Sequence, residues 1–193
     1  MPNFKKITPK EATGEVAEIF KDFMDTLGVN FIPNFFQTLA ANSLNVLRGT
    51  WAVYKNVNWK GVLPPPLKEM LFTAIATDRD CRYCEAAHLA FCTALEVDPL
   101  NLNAIVSDVD AINPPKTRSA VKFAIECSRN PLNVDQAKCD ELRKVGFSDG
   151  EIIELIAMVS FSLYAINLAD AMKLEIDEDF IQILGGRAPQ KAR

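Results

Sequence analysis

The chain is poor in several things that would otherwise set its class. It has no excess of positive charge: 21 Lys and Arg stand against 25 Asp and Glu, a formal net charge of −4, so no broad field exists for a phosphate backbone to find. Nucleic-acid binding is not expected. The N-terminal stretch carries Lys5, Lys6 and Lys10 between prolines and lacks the apolar core of a secretory signal. The most apolar run, Leu155 to Ala169, is interrupted by Ser160, Ser162 and Asn167 and is short for a bilayer, so it reads as a buried core helix. Cysteines number five, an odd count that does not suit a structural disulfide framework and points to a reducing, cytoplasmic setting. Histidine is almost missing. His88 is the sole one, and no other side chain has an ordinary pKa suited to general base work near neutrality.

Period-two alternation is also missing, and what is present is helical punctuation. Thr8-Pro9-Lys10-Glu11 reads as a capping box opening a helix with Val16, Ile19, Phe20 and Phe23 on one face, closed by Gly28. Phe35 to Leu39 reads as a short helix, and Ser43 caps a longer one carrying Leu44, Leu47, Trp51 and Tyr54. After the prolines at 64–66, helices are expected over Leu67 to Ala76 and Cys81 to about Leu95, joined by the polar turn Thr77–Asp80. Further helices are expected from Asp98-Pro99 to about Val109, from Pro114-Pro115 through Arg129, over Val134 to Val145 and over Asp149 to Leu174. The expected fold is an all-α bundle of about eight helices spanning residues 1–193 as one domain. Its active-site hairpin is 65–95, and 134–174 echoes that hairpin as a degenerate repeat without the Cys pair or the His.

Chemistry concentrates in the spacing Glu69-x11-Cys81-x2-Cys84-x3-His88. On one helix Cys81, Cys84 and His88 fall within roughly a 60° arc, and a pair at i, i+3 has Cα atoms about 5–6 Å apart, compatible with a disulfide. Cys81 is expected in the first helical turn, where the dipole favours a thiolate. Cys84 has an imidazole one turn on that can take its proton, which makes it the better attacker. The short turn makes the two helices antiparallel, with Glu69 and His88 nearly level, about 15 Å and about 12 Å from the tip. A carboxylate there can hold one imidazole nitrogen while the other faces Cys84, the order of nucleophile, base and orienter. Metal binding is the rival chemistry: Cys81 and Cys92 are about 16 Å apart along the axis, too far to share a tetrahedral zinc, while a site from Cys81, Cys84 and His88 with an outside ligand stays open. Cys92, Cys127 and Cys139 sit in apolar helical contexts and read as core. A thioredoxin-type centre needs a strand before the Cys helix, and none is expected.

At these residues the sequence resembles the alkylhydroperoxidase D-like superfamily, which includes the carboxymuconolactone decarboxylases. The matched pattern is Glu69-x11-Cys81-Arg-Tyr-Cys84-Glu-Ala-Ala-His88, and the longer chain looks like the peroxidase-related branch. The resemblance implies a homo-oligomeric thiol-dependent peroxidase that reduces organic hydroperoxides, with no bound cofactor. It implies Cys84 as the peroxidatic cysteine, Cys81 as the resolving one, His88 as proton acceptor and Glu69 as its orienting group. An external dithiol, a lipoyl group or a thioredoxin-like protein, would reset the disulfide. One departure is Tyr83, where peroxidases of the family can carry a histidine. The decarboxylase branch lacks the Cys pair. The alternatives are a general disulfide oxidoreductase and a non-enzymatic redox sensor using the same pair. A peroxidase further requires a narrow apolar channel to Cys84, for which Phe72, Phe91 and Trp51 are candidates.

Overall fold

Prolines and short polar caps decide where most of the helices start. The computed structural model describes residues 4–186, and among them every regular element is helical. The α-helices are α1 (Gly14–Leu27), α2 (Asn34–Asn42), α3 (Leu44–Val53), α4 (Pro65–Asp78), α5 (Arg82–Ala94), α6 (Pro99–Ser107), α7 (Pro115–Arg129), α8 (Gln136–Lys144), α9 (Asp149–Met172) and α10 (Glu178–Ile183). A π-helical segment, Tyr54–Trp59, continues α3, and two single 3-10 turns lie at 109–111 and 131–133. The all-α expectation holds, with ten α-helices among the described residues instead of about eight.

Where residues can cap, they do. Ser43 Oγ accepts from the Val46 N–H, Asp98 from the Leu100 N–H and Asp135 from the Lys138 N–H. Ser148 and Glu151 form the reciprocal capping box that starts α9. Gly28 closes α1 in the left-handed region at φ +70.

The first expected start is displaced. Thr8 donates through its N–H and Oγ1 to Glu11 Oε2, and the Glu11 N–H donates to the Thr8 carbonyl, but these bonds close an isolated turn. Thr13 is extended and Gly14 sits at φ +56, so the chain must restart before α1 begins at Gly14. A second correction bears on the chemistry. Cys81 is not in the first turn of α5; it is the N-cap, extended at φ −86 and ψ 91, and Asp80 provides the sharp turn at φ +54 instead of the cap.

α4 and α5 form the central antiparallel hairpin, and α4 also packs on α7 and α9. α9 is long and apolar enough to cross a membrane by length and composition, with a mean hydropathy of 1.9 over its most apolar window, yet half of that window is buried in this protein. The core runs without a break from Phe20, Phe23 and Phe36 through Leu71, Phe72 and Ile75 to Leu155, Met158 and Phe180. An ion pair between a buried lysine and a partly buried glutamate ties the site's foundation together. Lys68, fully buried on α4, pairs with Glu154 of α9 and donates to the Lys60 carbonyl, while Glu154 also accepts the Val62 N–H at 2.9 Å. Gly61 at φ +104 lets the loop pass against that carboxylate, where a Cβ would collide with it.

Candidate active site

The α4–α5 hairpin brings Glu69 to His88 and Cys81 to Cys84, and Cys84 and His88 line the same cavity. Glu69 Oε2 lies 2.5 Å from His88 Nδ1, with Glu69 fully buried and His88 nearly so. An ionised carboxylate only accepts, so Nδ1 carries the hydrogen and Nε2 is the ring nitrogen left for chemistry. The imidazole lies flat on Phe72, ring centroids 3.4 Å apart and 14° from parallel, which fixes its plane. Glu69 has further partners from the π segment: Asn58 Nδ2 donates to Oε1 at 2.6 Å and the Tyr54 hydroxyl at 3.4 Å.

Both thiols are reduced and buried. Cys84 is hydrogen-bonded with Cys81, and that bond, followed by burial, holds the Cys84 thiol well above its ordinary range. Cys84 therefore rests as a thiol and needs a base to become a nucleophile. Cys84 and His88 both line a cavity of about 40 Å³ whose walls include Phe35, Phe36, Phe72, Tyr83, Phe91 and Phe161. Phe72 and Phe91 take the positions expected beside the thiol; Trp51 does not reach the cavity and instead donates its indole N–H to Asp22 at 2.7 Å.

Tyr83 is a strut. Its hydroxyl donates to Asp177 Oδ2 and accepts the Phe35 N–H, both at 3.0 Å, and Asp177 Oδ1 accepts the Asn34 N–H at 2.7 Å. Burial, then the neighbouring Asp177 charge, pushes this phenol well above its ordinary range, so it does not exchange protons near neutrality. The tyrosine thereby pins α2 and the start of α10 over the thiol helix.

Cys92 lies on the same stripe but is buried against Thr73, its thiol pushed up by burial first and the Glu69 charge second. Cys127 is buried on α7 and Cys139 half-buried on α8, both away from the pair. Among the described residues no group of three or more His, Cys, Asp or Glu side chains is placed to hold a metal ion. Sequence reasoning missed Asn58, Tyr54 and Asp177. Only the last had a local signal, an acidic residue before a short helix.

Fold and site together define an all-α protein built round a buried carboxylate, imidazole and dithiol. Residues 45–126, from α3 to α7, match the Carboxymuconolactone decarboxylase family. No curated protein is a match for the chain. Among solved structures, the alkylhydroperoxidase AhpD core of an uncharacterized peroxidase-related protein from Ralstonia eutropha JMP134 superposes with a TM-score of 0.84 at 24% identity, covering 98% of each chain. A peroxidase-related protein from Silicibacter sp. TM1040 gives 0.77 at 22%, covering 93% of this chain and 97% of its own. The debrominase Bmp8, as a cysteine-to-alanine variant in complex with 2,3,4-tribromopyrrole, gives 0.78 at 18%, covering 96% and 97%. These likenesses establish the shared fold.

Proposed function

We propose that this protein is a thiol-dependent peroxidase that reduces organic hydroperoxides through a Cys84–Cys81 dithiol–disulfide cycle. The observation that carries the reading is the apolar cavity that Cys84 and His88 both line, with Glu69 holding the far side of the imidazole. His88 Nε2 takes the Cys84 proton as the sulfur attacks the outer peroxide oxygen. The O–O bond breaks, the alkoxide leaves as an alcohol with the proton from His88, and Cys84 becomes a sulfenic acid. Cys81 then attacks the Cys84 sulfur, a disulfide forms and water leaves. Two electrons and two protons from an external dithiol, a lipoyl group or a thioredoxin-like protein, restore both thiols. No bound cofactor or metal enters the cycle. The odd cysteine count suits a reducing cytoplasm, and the protein works as a homo-oligomer, as the resemblance implies.

The aromatic walls favour a second reading, reductive debromination of a heteroaromatic ring of the kind the debrominase Bmp8 was crystallised with. The same dithiol balances it: one carbon–bromine bond becomes carbon–hydrogen, bromide and a proton leave, and Cys81 and Cys84 end as a disulfide.

The test is consumption of cumene-type hydroperoxide with a dithiol donor by wild type, Cys84→Ser, Cys81→Ser and His88→Ala, with bromide release from a brominated pyrrole in parallel. Peroxide turnover lost in Cys84→Ser supports the first reading. Full turnover in Cys84→Ser rules it out. Bromide release without peroxide consumption moves the assignment to the second. Disulfide reduction alone identifies a general oxidoreductase, and a disulfide that changes assembly without turnover identifies a redox sensor.

A further inference from the structure

We propose that Asn58, with Tyr54, is a positioning residue that clamps the orienting carboxylate and so keeps His88 Nε2 free to act as a base. The inference rests on the reading of Glu69 and His88 given above. Both clamp residues sit on the π segment, whose wide turn is marked by the Lys60 N–H bonding back to the Lys55 carbonyl at 3.0 Å. Such π turns recur at functional sites because they re-aim side chains within a helix. Here the turn aims Asn58 Nδ2 and the Tyr54 hydroxyl at one oxygen, Glu69 Oε1, and leaves Oε2 to His88.

A second observation separates Asn58 from ordinary packing. It is fully buried, and its Oδ1 has no hydrogen-bond partner among the described residues. An apolar side chain of the same size would avoid that unsatisfied acceptor. The other end of the amide serves the carboxylate. Donors on a carboxylate favour its charged form. Without them the Glu69–His88 pair takes up one more proton at a given pH. In either form of that state, carboxylic acid facing Nδ1 or imidazolium facing carboxylate, Nε2 carries a hydrogen and cannot accept one from Cys84. The other titratable groups at the pair are Tyr54, Cys84 and Cys92, and the first and last are both pushed up by burial and the Glu69 charge.

His88 is the only histidine, so its ring nitrogens give an unambiguous 15N NMR signal without assignment. The experiment is a pH titration of that signal in wild type, Asn58→Leu and Tyr54→Phe, beside pH profiles of peroxide turnover. In Asn58→Leu, Nε2 should gain its proton roughly one to two pH units higher, and kcat should fall roughly tenfold to hundredfold near neutrality with KM unchanged. Tyr54→Phe, which removes one oxygen and keeps the ring, should shift the same way by less. If Asn58→Leu does not fold, Tyr54→Phe decides. Unshifted His88 titration in the folded variants overturns the clamp. Because the NMR titration does not depend on turnover, a wild type that consumes no peroxide sinks the proposed activity while leaving the clamp to be judged on the spectrum.

Discussion

Asp177 should make this protein gain stability from one carboxyl as the pH falls toward 4, the opposite of the usual behaviour of an acidic side chain. Only 5% exposed, it holds the Asn34 N–H and the Tyr83 hydroxyl, yet burial outweighs both donors and pushes its carboxyl up to about 6. In the unfolded chain the same group titrates near about 3.9. Between those values the folded state holds a proton that the unfolded state has released. The stabilising contribution is therefore complete below about pH 4 and is lost as the pH rises through about 6. A shift of about two units corresponds to roughly 3 kcal/mol between the two extremes. The assay is urea unfolding of wild type and Asp177→Asn from about pH 7.5 down to about pH 4.5. The other carboxylates titrate alike in both proteins and cancel in the difference, and the lost acceptor gives a constant offset. Wild type should gain on the variant by roughly 2 kcal/mol as the pH falls across that window. A difference that is flat, or that grows with rising pH, refutes the assignment of a raised, burial-dominated carboxyl.

Lys68→Met should destabilise the fold by about 2–3 kcal/mol by leaving the partly buried Glu154 without its cation, and adding Glu154→Gln should recover part of the loss; a single variant within about 1 kcal/mol of wild type in urea unfolding would show that the pair carries little. Gly61→Ala should cost more than about 1 kcal/mol, because the new Cβ meets the Glu154 carboxylate at a positive φ; unchanged thermal melting would contradict that. Cys92→Ala should cost about 1 kcal/mol in denaturant unfolding and leave the alkylation rate of Cys84 unchanged, since Cys92 packs against Thr73 outside the cavity. A slowed alkylation would place Cys92 within the redox centre.

How far the sequence reveals the molecule depends on how local the determining forces are. Helix starts at Ser43, Asp98, Pro115 and Ser148 were legible because a proline ring or a cap acts on its own backbone within three residues. The Thr8–Glu11 box was misleading for the same reason: its bonds form, but Gly14 takes a left-handed turn that no local pattern announces. Helix α10 is six residues long and anchors Phe180 against Phe31 and Phe91, contacts made far along the chain. At the site, the meeting of Glu69 and His88 could be worked out from hairpin heights because both lie on regular helices joined by a short turn. Asn58 and Tyr54 could not, since an i, i+5 turn leaves no mark in residue type and changes where every following side chain points. Nothing local marks Lys68 for burial, which depends on α9 bringing Glu154 to it.

The place of Cys81 at the border of α5 has a mechanical consequence. Its amide is tied back to the Ala76 carbonyl at 3.0 Å and its own carbonyl receives the Glu85 N–H at 2.9 Å, but its backbone angles belong to neither helix. Cys84, three residues on, is inside the rigid cylinder. Of the two sulfurs, one rides on a joint and the other on a beam. Closing a disulfide between them draws on rotation at the joint, so the beam keeps its rungs and α4 and α9 keep their seats against it. The oxidised and reduced proteins should then have nearly the same far-UV helix signal and the same unfolding cooperativity. A pair mounted in this way suits repeated turnover better than the signalling of a change in shape.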